Sequence, residues 1–300
     1  MWMTMTLSAL HTFLKPLCTA FNIVFNRGNL TMILKSALGL LLIGVLTVSC
    51  AHAAREPADD ERMIDDPRVQ HRQYVFSLTG ETLPYALFIP SGYQERGDAI
   101  PLIVSLHGLG RTYDWLMGYE GFLDYAEQYG FMVVTPLGYV RRGWYGSRPT
   151  ENSVHAERSE ADVMAVLELV REEFNIDAQR IYLWGHSMGG AGTYHIAVKN
   201  PELFAALAVA APAPRADLSP TVLQAIRDVP ILVLQGTEDE LVPVDLTRRW
   251  VAGMRAIGMP HIYVELEGED HTLFIARNRE NMRKVVNFFD TVGTRRQFAE

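Results

Sequence analysis

The stretch Ile181-Tyr182-Leu183-Trp184-Gly185-His186-Ser187-Met188-Gly189-Gly190 decides the reading of this chain. Its first four residues form a short apolar run of the kind expected of a strand buried on both faces. Beyond the glycines, Ala191, Tyr194, Ile196 and Ala197 keep a helical spacing until Asn200-Pro201 ends it. A chain that passes from strand to helix within so few residues must turn sharply, and the turn lifts the serine out at its apex. Side chains at 185 and 189 would collide where the neighbouring chains close up, which accounts for glycine at both. By composition alone G-x-S-x-G arises in roughly one chain in ten of this length. The weight therefore lies on its placement between a strand and a helix.

Working outward, further short apolar runs occur at Leu102–Leu106, Phe131–Thr135, Leu207–Ala210, Ile231–Leu234 and Ile262–Leu266. Between them lie helical patterns, clearest at Val163, Val166, Leu167, Val170 and Phe174, whose start Ser159 and Asp162 would mark as a cap. Two earlier runs, Gln73–Leu78 and Leu83–Ile89, flank Thr79-Gly80-Glu81 and predict a hairpin at a sheet edge. Alternating strand and helix predicts an α/β architecture with right-handed crossovers and a mostly parallel sheet covered on both faces. In such sheets reactive groups gather at the carboxyl ends of strands. The expected layout is a leader over 1–53, an acidic linker over 54–70, one catalytic domain over 71–293 and a tail over 294–300.

The leader carries Lys15, Arg27 and Lys35 and no acid. Ala37–Val48 is an uncharged, mostly apolar run behind Lys35, short for a membrane span and suited to the core of an export signal. A start at Met32 would give that signal an ordinary basic head. Two cleavage patterns follow it. Ala51-His52-Ala53 is a small-x-small site, and Leu46-Thr47-Val48-Ser49-Cys50 has the form of a lipobox that would put a lipid anchor on Cys50. Periplasmic, secreted or lipid-anchored destinations are the expectation. Both cysteines, Cys18 and Cys50, fall in the leader, so the body is expected to rely on its core and not on disulfides. Of the 27 basic residues these three belong to the leader, leaving 24 against 35 acidic ones. A body so acidic, with no basic run longer than a pair, argues against a nucleic-acid partner.

A serine hydroxyl needs a base in reach, and the base needs an acid to fix its tautomer. Both are expected to follow the nucleophile along the chain, at the ends of later strands. His271 is the only histidine after the last apolar run, since His261 begins that run and His195 lies in the helix after the turn. The acid belongs to Glu238-Asp239-Glu240, with Asp245 and Asp270 nearby; Asp239 is the candidate. The backbone N–H of Met188 and, from His107-Gly108-Leu109-Gly110, that of Leu109 are the expected oxyanion donors. Trp144 and Tyr145, from the aromatic loop Gly138–Gly146, together with His186 and Leu241, are the candidate pocket residues. No spacing suggests a metal, and no organic cofactor is expected.

From about Pro101 to Phe289 the chain resembles α/β-hydrolase esterases, especially the bacterial group of feruloyl and acetylxylan esterases, polyhydroxybutyrate depolymerase-like proteins and dienelactone hydrolase relatives. The resemblance rests on His107–Gly110, Phe174-Asn175-Ile176-Asp177, Arg180-Ile181-Tyr182, Gly185–Gly190, Gly236–Asp239 with Val242-Pro243, and Asp270-His271. It implies Ser187, Asp239 and His271 as a triad and favours Asp239 over its acidic neighbours. The activity it implies is hydrolysis of small or polymer-derived carboxylic esters, short-chain or aryl, through an acyl-enzyme on Ser187. Serine stands where dienelactone hydrolases use cysteine, which counts against that activity. A thioesterase or lysophospholipase with the same triad is the nearest alternative, and an inactive hydrolase-fold binding module is the alternative from another class.

Overall fold

The computed structural model describes residues 64–95, 97–149 and 153–297. The leader and most of the linker, with Cys18, Cys50 and both cleavage patterns, lie outside the described residues. The chain forms eight strands: β1 (Val69–Val75), β2 (Thr82–Phe88), β3 (Ile100–Leu106), β4 (Met132–Pro136), β5 (Ile176–His186), β6 (Ala206–Ala210), β7 (Ile231–Gly236) and β8 (His261–Leu266). The helices are α1 (Phe122–Tyr129), α2 (Ser153–Glu173), α3 (Met188–Lys199), α4 (Val244–Ala256), the short α5 (Leu273–Ala276) and α6 (Arg279–Gln297). One sheet holds all eight strands in the order β1-β2-β4-β3-β5-β6-β7-β8. The pairs β1–β2 and β2–β4 are antiparallel, and all pairs from β3 onward are parallel. The expected hairpin is therefore present at one edge of a mostly parallel sheet.

Successive residues of the central strands feed opposite faces. In β5, Ile181 and Leu183 pack with α2, α3 and α4, while Tyr182 and Trp184 pack with α1 and α6. Full burial of a side chain of this kind contributes about 1.5–3 kcal/mol, so the continuous apolar runs are the stabilising sum of two cores rather than one. The order also places the site. The connection after β3 leads to β4 on one side of it, and the connection after β5 leads to β6 on the other. Neighbouring strands whose chains leave in opposite directions open a crevice at their carboxyl ends, here between the turn after Leu106 and the turn after His186.

Three local expectations are corrected. Helix α2 does not begin at Ser159, since the described helix already runs from Ser153. Ser159 and Asp162 are fully buried inside it and serve long-range partners. The Ser159 hydroxyl accepts the Tyr145 N–H at 3.0 Å, and Asp162 accepts the Tyr139 N–H at 2.8 Å and the Tyr74 hydroxyl. A short polar side chain next to a helical stripe reads as a cap unless its partner, distant in sequence, is known. The folded body also begins before His71, with β1 at Val69, and α6 runs past Gly293 to Gln297.

Candidate active site

Ser187 sits between β5 and α3 with φ 58° and ψ −115°, a backbone conformation rarely adopted by a residue with a side chain. The surroundings fix it there. Its N–H donates to the Ala210 carbonyl at 2.9 Å, and its carbonyl accepts from Ala191 and Ala213, both at 3.1 Å. A Cβ at Gly185 would overlap the backbone of Gly189, and one at Gly189 would overlap the Leu106 carbonyl oxygen. These are the collisions the sequence motif implies, so the serine is held half-exposed at the apex of a turn that only these glycines permit.

Asp239 and His271 come from the loops after β7 and β8. The two loops are laced together: Glu238 N–H donates to the Glu269 carbonyl at 3.0 Å, Thr237 N–H to the Leu266 carbonyl at 3.0 Å, and the Cα of Gly236 lies so close that a Cβ would overlap the Glu269 and Asp270 carbonyls. Asp239 is buried, and each of its oxygens is fully used. Oδ1 accepts the N–H groups of Leu241 at 2.9 Å and Val242 at 2.8 Å; Oδ2 accepts Gln235 Nε2 at 2.9 Å and His271 Nδ1 at 2.7 Å. Burial alone would raise the carboxyl pKa, but the hydrogen bonds from His271, Val242 and Gln235 outweigh it and hold Asp239 below its ordinary range. With a carboxylate at Nδ1 that nitrogen carries the proton, and Nε2 keeps its lone pair.

The other acids have different work. Glu238 and Glu240 are exposed, Asp245 pairs with Arg248 at 2.9 Å, and Asp270 Oδ1 accepts the N–H groups of Thr272 and Leu273 at the start of α5. The Ser187 hydroxyl makes no hydrogen bond to His271 among the described residues. Such bonds are commonly loose until substrate is bound.

The turn after β3 lies against the nucleophile, with a Cβ at Gly108 only 3.7 Å from Ser187 Cβ. Arg141 braces it, donating from Nε to the Gly110 carbonyl at 2.7 Å and accepting the Gly110 N–H at 2.8 Å. Neither the Leu109 nor the Met188 amide donates to a backbone carbonyl among the described residues.

His186 is not a pocket residue. It is buried, its ring 5.0 Å from that of His271, and its Nε2 lies 2.8 Å from the His271 carbonyl oxygen. A carbonyl only accepts, so Nε2 is the donor and Nδ1 accepts the Tyr119 hydroxyl at 2.6 Å. Burial, reinforced by the neighbouring His271, holds the His186 pKa down to about 3. Folded His186 stays neutral where the unfolded chain takes up a proton, so stability is complete above pH 6.5 and is lost as the pH falls from 6.5 toward 3. A pKa moved from 6.5 to about 3 makes that loss on the order of 5 kcal/mol at the acid end. Urea unfolding across this range is expected to show a steeper pH slope for the wild type than for His186→Gln, and parallel slopes would refute the assignment.

A cleft of about 490 Å³ is bounded by Ala213, Pro214, Leu241, Val242, Arg148 and Arg215; its wall is joined to the nucleophile through the Ala213 N–H, which donates to the Ser187 carbonyl. Leu241 lines this cleft. Trp144 and Tyr145 do not: Tyr145 is fully buried and Trp144 nearly so, both inside the core cluster on the α3 side. Their loop carries positive φ at Tyr139, Trp144 and Tyr145, and a Cβ at Gly192 of α3 would run into the Tyr145 ring. The aromatic area has the helix to pack against, and the loop presents Arg148 to the cleft instead. Trp144→Ala is accordingly expected to cost about 3 kcal/mol of stability while lowering kcat/KM by similar factors on an aryl and an alkyl ester. A loss confined to the aryl ester would restore Trp144 to the pocket.

Sequence reasoning missed Gln235, Tyr119, Arg148 and Arg215. Only Gln235 carried a signal, as the polar residue closing an apolar strand. Among the described residues, no group of three His, Cys, Asp or Glu side chains converges as a metal site would require, and no helix is long and apolar enough to cross a membrane.

The model of the Esterase family matches residues 77–265 of the chain. Over 145 residues the chain is 30% identical to the bifunctional acetylxylan esterase/xylanase XynS20E of Neocallimastix patriciarum, covering 47% of this chain and 20% of that protein. Over 107 residues it is 33% identical to feruloyl esterase B of Neurospora crassa, covering 35% of this chain and 36% of that one. The matches thus span well under two thirds of these relatives. Among solved structures, an S-formylglutathione hydrolase from Agrobacterium tumefaciens superposes with a TM-score of 0.61 at 18% identity, over 74% of this chain and 94% of that chain. That likeness speaks for the α/β-hydrolase fold, the architecture the strand order describes. With the family model covering more than half of its length, and with a serine at the apex of the turn after β5, the chain belongs to the Esterase family.

Proposed function

We propose that this protein hydrolyses carboxylic esters through an acyl-enzyme on Ser187. The observation that carries the reading is the fully satisfied Asp239 carboxylate, which fixes His271 through Nδ1 on the loop after β8 while Ser187 is held in a strained conformation at the turn after β5. In the proposed reaction His271 Nε2 takes the Ser187 proton as Oγ bonds to the ester carbon. The Leu109 and Met188 amides receive the oxyanion. Collapse of the tetrahedral species breaks the bond to the alcohol oxygen, to which His271 returns the proton. A water molecule, deprotonated in turn by His271, then attacks the acyl-enzyme, and Ser187 leaves with its proton restored. Asp239 keeps the imidazole in one tautomer and stabilises the imidazolium.

The relatives act on acetylated and feruloylated material by name, and this supports short-chain or aryl esters as the substrate class. The test is hydrolysis of phenyl acetate and of a series of longer acyl esters and thioesters by the purified body. Absence of turnover on all of them would remove the reading.

Export is the proposed destination, supported by the apolar run Ala37–Val48 and the two cleavage patterns behind it. Mass spectrometry of the natural product is expected to find either a diacylglyceryl group on Cys50 or a free amino terminus at Ala54. An intact leader on a cytoplasmic protein would contradict both.

A further inference from the structure

The cleft whose wall is joined to Ser187 through Ala213 is lined by apolar residues, among them Pro214, Leu241 and Leu246, and by Arg148, Arg215 and Asp217. Arg148 lies with its guanidinium carbon 3.5 Å from the centroid of the Trp144 ring, a stacking that fixes the plane of the group, and donates to the Ala213 carbonyl at 3.4 Å. Arg215, two residues beyond Ala213, grips Asp217 through Nε at 3.0 Å and Nη2 at 2.5 Å. Asp217 itself lines the cleft and is two-thirds exposed. Its carboxyl is held below the ordinary range first by the Arg215 hydrogen bond and, more weakly, by the charge of Arg148, so both guanidiniums act on this one carboxylate.

Two cations facing a cleft are unexpected in a chain of net charge −8. The walls of the same cleft reach both halves of the catalytic machinery. Ala213 N–H is bonded to the Ser187 carbonyl, and the amides of Leu241 and Val242 hold Asp239. An ester seated at Ser187 would therefore extend its non-reacting part toward Arg148 and Arg215 across apolar contacts from Pro214 and Leu241.

We infer that this cleft is a subsite for a carboxylate, and that the preferred substrates are esters carrying a carboxylate remote from the scissile bond. Asp217 occupies the anion position in the free protein as an internal stand-in. A planar carboxylate matches the planar fork of Arg215 in the way Asp217 now does, and exchanging an exposed side chain for a substrate group loses no buried interaction. The inference rests on the proposed esterase reading and names the substrate class for that site.

The experiment compares two matched pairs of esters: phenyl hydrogen glutarate against phenyl pentanoate, for a carboxylate on the acyl side, and 3-acetoxybenzoate against phenyl acetate, for one on the leaving side. For at least one pair, the ratio of kcat/KM for the anionic ester to that for the neutral ester is expected to fall roughly tenfold in Arg215→Gln. It is expected to rise in Asp217→Asn, where the competing carboxylate is gone. The preference should also shrink as salt is raised from about 0.05 to 0.5 M, because the groups are partly exposed. Calorimetric titration with glutarate and 3-hydroxybenzoate supplies a readout that does not depend on turnover. Ratios unchanged in both variants, with esters hydrolysed, would overturn the inference and leave the esterase reading standing. If no ester is hydrolysed, the esterase reading falls. Binding of either anion that Arg215→Gln weakens would then still carry the subsite, and absence of binding would end it.

Discussion

Replacing Ser187 by alanine is expected to lower kcat on phenyl acetate by roughly a millionfold while leaving the folded structure in place, the size of loss associated with removing a triad nucleophile. The fold should survive for a local reason. Alanine meets the same backbone demand at φ 58° as serine does, and the bonds that hold residue 187, to Ala210, Ala191 and Ala213, are all made by main-chain atoms. Circular dichroism and the melting temperature should match the wild type within about 1 kcal/mol of stability. Activity within tenfold of the wild type would show that the chemistry lies elsewhere.

Asp239→Asn is expected to cost about 10⁴ in kcat, because an amide at this place offers a donor to His271 Nδ1 and favours the tautomer whose lone pair faces the acid. The same change in the adjacent acid discriminates between them. Asp270→Asn removes a charge from the start of α5, where Oδ1 accepts two backbone N–H groups, and asparagine can keep those bonds. A loss in kcat below tenfold and a drop in stability of at most about 1 kcal/mol are expected there. The reverse ranking of the two variants would transfer the role of acid to Asp270.

Ser187, Asp239 and His271 were legible because each stands within a few residues of an apolar run, and strand ends in an α/β sheet are brought to one edge by topology alone. Among the loop acids, the family resemblance favours Asp239, while position along the chain does not separate it from its neighbours. Burial of Asp239 and its hydrogen bonds to His271, Leu241, Val242 and Gln235 distinguish it from Glu238 and Glu240, which point to solvent. The errors have one origin. The sequence neighbours of Ser159, Asp162, Trp144 and Tyr145 suggest a cap and a pocket wall, whereas their partners lie on other elements. His186, a pocket candidate in the sequence, stands beside the nucleophile but does not share its orientation. In a strand the residue next to one that faces the cleft faces elsewhere, and here it turns to Tyr119 and His271. The cleft arginines had no signature at all, since Arg148 and Arg215 become neighbours only when the loops after β4 and β6 converge.

The bond from the Ala213 amide to the Ser187 carbonyl makes the cleft wall and the nucleophile parts of one mechanical unit. A substrate seated against the segment that begins at Ala213 would press on the serine through a single peptide group. Binding energy gathered far from the scissile bond would then act on the alignment of the attacking oxygen and not only on residence time. Clipping the distal group from a good substrate should then slow the chemical step itself, so that discrimination among esters is written into turnover as much as into affinity.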